Sequence, residues 1–275
     1  MSGPGARIRG QEWRAWLLVG GALALAAAVG IFLLRGALPE KVDPAWERME
    51  QTGLFRVCTD PSWPPFEFVN PETGRIEGFD ADLARLLAQR MSPDVRAEIV
   101  PVGFDSLYDA LLADRCDALI SALPYEPMRT EDVVFSVAYF NAGLVIVVAQ
   151  ETRGIEHLQD LKGRVVGVEW GFVPEGDRRQ QSFLRDLGAR RYDTAEDVLR
   201  ALEVGEVEAA IVDRLTALTQ VGQCQDLTIV GEPLTDINYV IPVRPENYRL
   251  LSAINEGLLK MRKDGTLETL QERWF

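Results

Sequence analysis

Cys116-Asp-Ala-Leu-Ile-Ser-Ala-Leu-Pro-Tyr-Glu-Pro-Met-Arg129 decides the reading of this chain. An apolar strand, Ala118-Leu-Ile-Ser, runs into a turn broken by Pro124 and Pro127 and ends on a cation, just before Phe135-Ser136. A second stretch, Gly205-Glu-Val-Glu-Ala-Ala-Ile-Val-Asp213, is its counterpart: an apolar strand that ends on an anion. A fixed cation and a fixed anion at strand ends can clamp a zwitterion, because the guanidinium fork suits a carboxylate and the Asp carboxylate suits an ammonium.

Outward from these two stretches, strand and helix patterns alternate, which predicts an α/β fold. Leu54-Phe-Arg-Val-Cys58 reads as a strand. Phe66-Glu-Phe-Val, the turn Asn70-Pro-Glu-Thr-Gly74 and Arg75-Ile-Glu-Gly read as a hairpin. Asp80 is expected to cap a helix whose Leu83, Leu86 and Leu87 share one face. Residues 95–102 read as a strand and 104–113 as a helix. A second α/β unit begins near Gly143-Leu-Val-Ile-Val-Val148, with strands at 164–168 and 209–212 and a helix from about Glu175 to Leu187. Tyr239-Val-Ile-Pro-Val243 leads into a long helix starting near Asn247.

The formal net charge of -13 argues against a nucleic-acid partner. Residues 16–34 carry no charge and have about the length needed to span roughly 30 Å of hydrocarbon. They read as an uncleaved transmembrane anchor in preference to a signal segment, because Arg35-Gly-Ala-Leu-Pro follows rather than an Ala-x-Ala site. The segment 1–15 would then be cytoplasmic and 35–52 a tether with a short helix. The absence of a Cys after the apolar run excludes a lipoprotein anchor. Cys58, Cys116 and Cys224 show no CxxC spacing and read as three buried or half-buried thiols. His157 is the single histidine, so a His-based metal or triad site is not expected. No Walker loop, GxSxG or metal spacing is present, and no cofactor or metal is expected.

Four segments carry a resemblance. They are Cys58-Thr-Asp-Pro-Ser-Trp-Pro-Pro-Phe-Glu-Phe68 with Gly78-Phe-Asp-Ala-Asp-Leu83, Arg129 through Phe135-Ser136, and Asp264-Gly-Thr-Leu with Arg273-Trp-Phe275. In this order the chain from about Leu54 to Phe275 resembles the family 3 extracellular solute-binding proteins of polar amino-acid ABC importers. The resemblance implies a two-lobed type II periplasmic-binding-protein fold with two mixed sheets flanked by helices. Lobe one would hold 53–142 and 239–275, and lobe two 143–238. It also implies a monomeric domain outside the cytoplasm, a free amino acid as ligand and ABC permease subunits as partners. The ligand would lie in the crevice beyond the carboxyl ends of the strands, and the lobes would close on it by hinge motion.

Residue by residue, the resemblance gives Arg129 the ligand's carboxylate and Asp213 its ammonium. Arg129 could instead pair with Glu126 or Glu131, and Asp213 could cap the helix before Leu215. Trp63 and Phe104 would form opposite aromatic walls, about 0.5–2 kcal/mol for a cation held between them. Asp60 and Glu169 would read a cationic side chain, although Asp60 could instead cap the Pro61-Ser-Trp turn and Glu169 could point outward. The family's Ser and Thr hydroxyls are replaced here by Ala122, Pro124 and Glu126, with Ser121 remaining, and the backbone N–H groups of Gly171 and Phe172 would compensate. A basic amino acid is therefore expected, with a polar neutral one next. A cyclohexadienyl-type dehydratase, using Glu169 or Glu175 as general acid, is the alternative, as is a ligand-sensing domain acting with a separate signalling partner.

Overall fold

The computed structural model describes residues 42–170, 187–221 and 226–275. The expected anchor and cytoplasmic segment, the helix expected from Glu175, Gly171, Phe172 and Cys224 lie outside the described residues. Among the described residues no helix is long and apolar enough to cross a membrane.

Leu54–Thr59 and Arg96–Pro101 pair in parallel through a six-residue register, Leu54 opposite Arg96 to Thr59 opposite Pro101. The first sheet has the order Arg96–Pro101, Leu54–Thr59, Ala118–Leu119, Pro242–Val243, Val134–Phe135. The last two strands run antiparallel, so the sheet is mixed. Apolar clusters cover both of its faces. Phe55 and Val57 join Leu83, Leu87, Ile254 and Leu258 on one side, and Cys58 joins Leu107, Leu111 and Cys116 on the other. The second sheet has the order Arg190–Tyr192, Val166–Glu169, Ala209–Asp213, Leu144–Ala149, Leu227–Val230, and is also mixed. Its strand 144–149 is buried along almost all its length, which explains the unbroken apolar run Leu-Val-Ile-Val-Val. The fold is thus two-lobed, with two mixed sheets flanked by helices.

The chain passes between the sheets along two short antiparallel strands, Phe140–Asn141 and Asn238–Tyr239. Asn141 stitches them: its Oδ1 accepts from Gly143 N–H (2.8 Å) and Ile237 N–H (3.3 Å), and its Nδ2 donates to Asp236 Oδ1 (3.3 Å). Gly143 has to be glycine here, because a Cβ would collide with the Thr235 carbonyl. Phe66 sits at the centre of an aromatic cluster with Phe79, Phe140, Tyr239 and Phe275, ring centroids 5.1–5.7 Å apart. Such pairs contribute about 0.5–1.5 kcal/mol each beyond burial. The cluster ties the first loop, both crossovers and the last residue to one point, and it fixes the next residue, Glu67.

Three expectations need correction, while the short helix expected beside the tether is present as Pro44–Thr52, packed on the domain with Ala45 and Met49 buried. Its N-cap Asp43 accepts from Arg249 and Leu250 N–H at 2.7 and 3.1 Å. Asp80 does not cap the helix Phe79–Met91. Gly78 is the N-cap and no side chain caps it, because its φ of 128° suits glycine alone. Cys58 and Cys116 are joined in a disulfide, not free thiols; adjacent parallel strands bring their Cα atoms to 5.7 Å. The C-terminal segment is two helices, Tyr248–Lys263 and Thr266–Trp274, interrupted where Gly265 adopts φ 78°.

Candidate functional site

Above the carboxyl end of Leu54–Thr59 lies a cleft of about 430 Å³. Asp60, Ser62, Trp63, Glu67, Phe104, Ser121, Ala122, Pro124 and Tyr239 line it. The expected Asp60, Trp63, Phe104 and Ser121 are therefore brought together, on segments that leave three neighbouring strand ends, Thr59, Pro101 and Leu119. Trp63 and Phe104 keep 54% and 60% of their surface exposed, a large apolar area facing open space in the absence of anything between them. Asp60 is half-buried and Oδ2 accepts from Ser62 Oγ at 2.9 Å, while its N–H donates to Ser121 Oγ at 3.0 Å.

On the second lobe, Asp213 ends Ala209–Asp213 and Glu169 ends the adjacent strand Val166–Glu169. Partial burial and then the charge of Asp213 push the Glu169 carboxyl above its usual range. Asp213 Oδ1 also accepts from Thr216 N–H at 2.8 Å, capping the helix Arg214–Val221. Tyr239 connects the lobes electrically. Burial, then the charges of Asp80, Asp213 and Glu67, push its phenol up to about 12.

Arg129 is not among the residues lining the cleft. It ends a turn of 3-10 helix, Pro127–Arg129. Its Nε lies 3.6 Å from Glu126 Oε2 and its guanidinium stacks 4.5 Å from the centroid of Tyr108. Glu126 occupies one of the places where the resemblance leads one to expect a small hydroxyl residue, and its carboxylate holds the cation instead.

Two functional candidates escape the sequence pattern: Glu67 and Tyr239. Glu67 is 1% exposed and accepts from Ser121 Oγ at 2.8 Å. Beneath it lies Asp80, also 1% exposed, whose Oδ2 accepts from Ala122 N–H at 2.6 Å and from Tyr139 Oη at 3.0 Å. Ala122 adopts φ 45°, a left-handed conformation that turns its N–H towards Asp80. Burial, then the Asp80 charge, pushes Glu67 up to about 10, and burial pushes Asp80 up to about 7. A Glu between two Phe residues after Pro64-Pro65 is the signal in hindsight, since a carboxylate in so apolar a segment needs a polar partner.

The family model of the bacterial extracellular solute-binding proteins, family 3, matches residues 55–275. The chain belongs to that family. Among curated relatives, it is similar to the L-cystine-binding protein TcyJ of Escherichia coli K12, 32% identical over 83% of this chain and 85% of the relative. It is also similar to the histidine-binding periplasmic protein of the same strain, 29% identical over 80% and 87%. Among solved structures, an ancestral cationic amino acid solute-binding protein is 30% identical with a TM-score of 0.57, over 83% of this chain and 98% of that one. An ancestral cyclohexadienyl dehydratase is 26% identical with a TM-score of 0.72, over 85% and 96%.

Proposed function

We propose that this family 3 protein binds a free amino acid in the cleft between its lobes, outside the cytoplasm, and delivers it to an ABC importer. The carrying observation is the cleft itself. Two exposed aromatic faces, Trp63 and Phe104, stand around a floor of Asp60, Ser121 and Glu67. Glu169 and Asp213 come from the other lobe. Aromatic walls take the aliphatic or planar part of a side chain, and surplus carboxylates favour a cationic end. Asp213 takes the ammonium, and Arg129, released from Glu126, takes the carboxylate as the lobes close. A basic amino acid is the leading ligand and a polar neutral one the next; the likeness to binding proteins for cationic amino acids, histidine and cystine supports this order of preference. The apolar run 16–34 serves as an N-terminal membrane anchor, the domain acts as a monomer, and permease subunits are its partners.

The test is a thermal-shift and calorimetric screen of the purified protein against the amino acids, since a ligand that binds only the folded state raises the melting temperature. A shift with arginine, lysine or ornithine supports the reading, and silence across all amino acids removes it.

One observation favours a second reading. Glu169 is held above its usual range beside Asp213, and the ancestral dehydratase shares the fold. A cleft acid with its pKa raised is better suited to act as general acid. Turnover of a cyclohexadienyl acid, absent in Glu169→Gln, would establish an enzyme; unchanged substrate would leave the binding protein.

A further inference from the structure

The floor of the cleft offers acceptors rather than donors. Ser121 gives its hydroxyl proton to Glu67 Oε1 and accepts from Asp60 N–H, so the lone pair it has left can only accept from a ligand. Ala122 has committed its N–H to Asp80, and Pro124 has none. Tyr239, whose hydroxyl can donate or accept, is the exception. The arrangement depends on two carboxyls buried side by side. Glu67 Oε2 and Asp80 Oδ1 are both buried without a hydrogen-bond partner, and the Asp80 charge acts on Glu67. Two ionised carboxylates cannot share such a space, whereas one proton between them satisfies both leftover oxygens.

We propose that Glu67 and Asp80 share a single proton and act together as the specificity element of the site, placing one buried negative charge beneath Ser121 that selects a ligand with a cationic side chain. This rests on the amino-acid reading of the cleft. It assigns the selection to a pair that touches the ligand space through Glu67 and Ser121, rather than to Asp60 and Glu169 alone. Asp80 is a positioning residue: it acts through Glu67 and through the Ala122 turn. The groups that act on the pair are Asp60 from the first loop, Tyr139 and Tyr239 from the crossovers, and the Ser121 hydroxyl and Ala122 N–H from the strand end. Across the cleft stand Glu169 and Asp213.

The selection should depend on pH in a defined direction. When the shared proton is joined by a second one, the floor becomes neutral. When the second proton leaves, the floor carries its charge, and the preference for a cation rises. Arginine and its neutral isostere citrulline isolate this effect, because their α-ammonium and carboxylate groups are alike and cancel in the ratio of affinities. A unit charge appearing about 5 Å from a guanidinium changes that ratio by on the order of a hundredfold at an effective dielectric of about 20, and for a pair titrating near pH 7 about tenfold of this falls between pH 6 and pH 8.

The experiment is calorimetric titration of arginine and citrulline at pH 6 and pH 8 into the wild type, Asp80→Asn and Glu67→Gln. The wild-type preference for arginine should grow about tenfold between the two pH values. Asp80→Asn should flatten this growth and weaken arginine more than citrulline. Glu67→Gln should retain the preference at pH 8, since an amide can accept from Ser121 and donate to Asp80 as the protonated acid does. Circular dichroism checks the fold of each variant. Should Asp80→Asn not fold, the wild type and Glu67→Gln decide, and a wild-type ratio independent of pH overturns the proposal. An Asp80→Asn profile matching the wild type overturns it as well and leaves the amino-acid site standing. Binding of no amino acid at any pH removes both.

Discussion

Asp213 Oδ1 accepts the backbone N–H of Thr216 at 2.8 Å, so the carboxylate assigned to the ligand's ammonium is also the cap of the helix Arg214–Val221. The two roles can be separated, because Asn caps as well as Asp and carries no charge. Asp213→Asn should keep the melting temperature of the free protein and weaken an amino-acid ligand by roughly 2–5 kcal/mol, the cost of leaving the ammonium unpaired in a closed cleft. Asp213→Ala should add about 1 kcal/mol of lost stability. Calorimetry with thermal melts checks both; equal ligand affinity in Asp213→Asn would leave Asp213 a structural cap.

For the proposed carboxylate contact, Arg129 has to give up Glu126, 3.6 Å away, and part of its stacking on Tyr108. Exposed pairs of this kind contribute about 0–1 kcal/mol, which a ligand carboxylate in a closed cleft can exceed. Arg129→Ala should therefore weaken arginine strongly and its decarboxylated analogue agmatine hardly at all. Glu126→Gln should tighten arginine by a few fold, because the competitor for the guanidinium is gone. If Arg129→Ala weakened both ligands alike, the carboxylate contact would be wrong.

What could be read from the chain and what could not follow from the range of the interactions. Strands such as Leu144–Ala149 and Ala209–Asp213 declare themselves by composition, and their ends carry Asp213 and Glu169 to one side. Asp60, Trp63, Phe104 and Ser121 come together because each follows or begins an element that the pattern places correctly. Asp80 misled because a carboxylate at a helix start is usually a cap. Its actual partners, Ala122 and Tyr139, are 42 and 59 residues away. Tyr239 drew no functional reading from its apolar run Tyr239-Val-Ile-Pro-Val243, yet it lines the cleft from the crossover strand Asn238–Tyr239. The pairing of Cys58 with Cys116 is likewise a matter of strand order, which spacing alone does not give.

That disulfide closes a loop 58 residues long across the lobe-one sheet. In the chain-entropy account such a loop corresponds to about 4 kcal/mol, with about 2–4 kcal/mol typical of measurement. Reduction, or the double variant Cys58→Ala with Cys116→Ala, should lower the melting temperature by about 10 °C at this size of domain. Both sulfurs are buried beside Leu107 and Leu111, so the oxidised protein should resist mild reductant until it unfolds. A melting temperature indifferent to reductant in the unfolding transition would show that the bond does not form.

Glu67 and Asp80 also set how stability varies with pH. Both have folded-state values above their ordinary ones, about 10 and about 7 against 4.5 and 3.8. An acid raised on folding lends full stability below its unfolded value and loses it as pH climbs through the folded one. Stability should thus decline between about pH 5 and pH 9, after the opposite rise at lower pH from Asp114, Asp264 and the other carboxylates held below their usual range. Glu67→Gln supplies the hydrogen bonds of the protonated acid without requiring a proton from solvent. Its melting temperature should therefore exceed that of the wild type by a few degrees at pH 8 and match it near pH 4. Thermal melts across this range measure the difference directly. A variant whose pH dependence ran parallel to the wild type would mean that Glu67 is already ionised in the folded protein, and that the charge under Ser121 sits on Glu67 rather than being shared with Asp80.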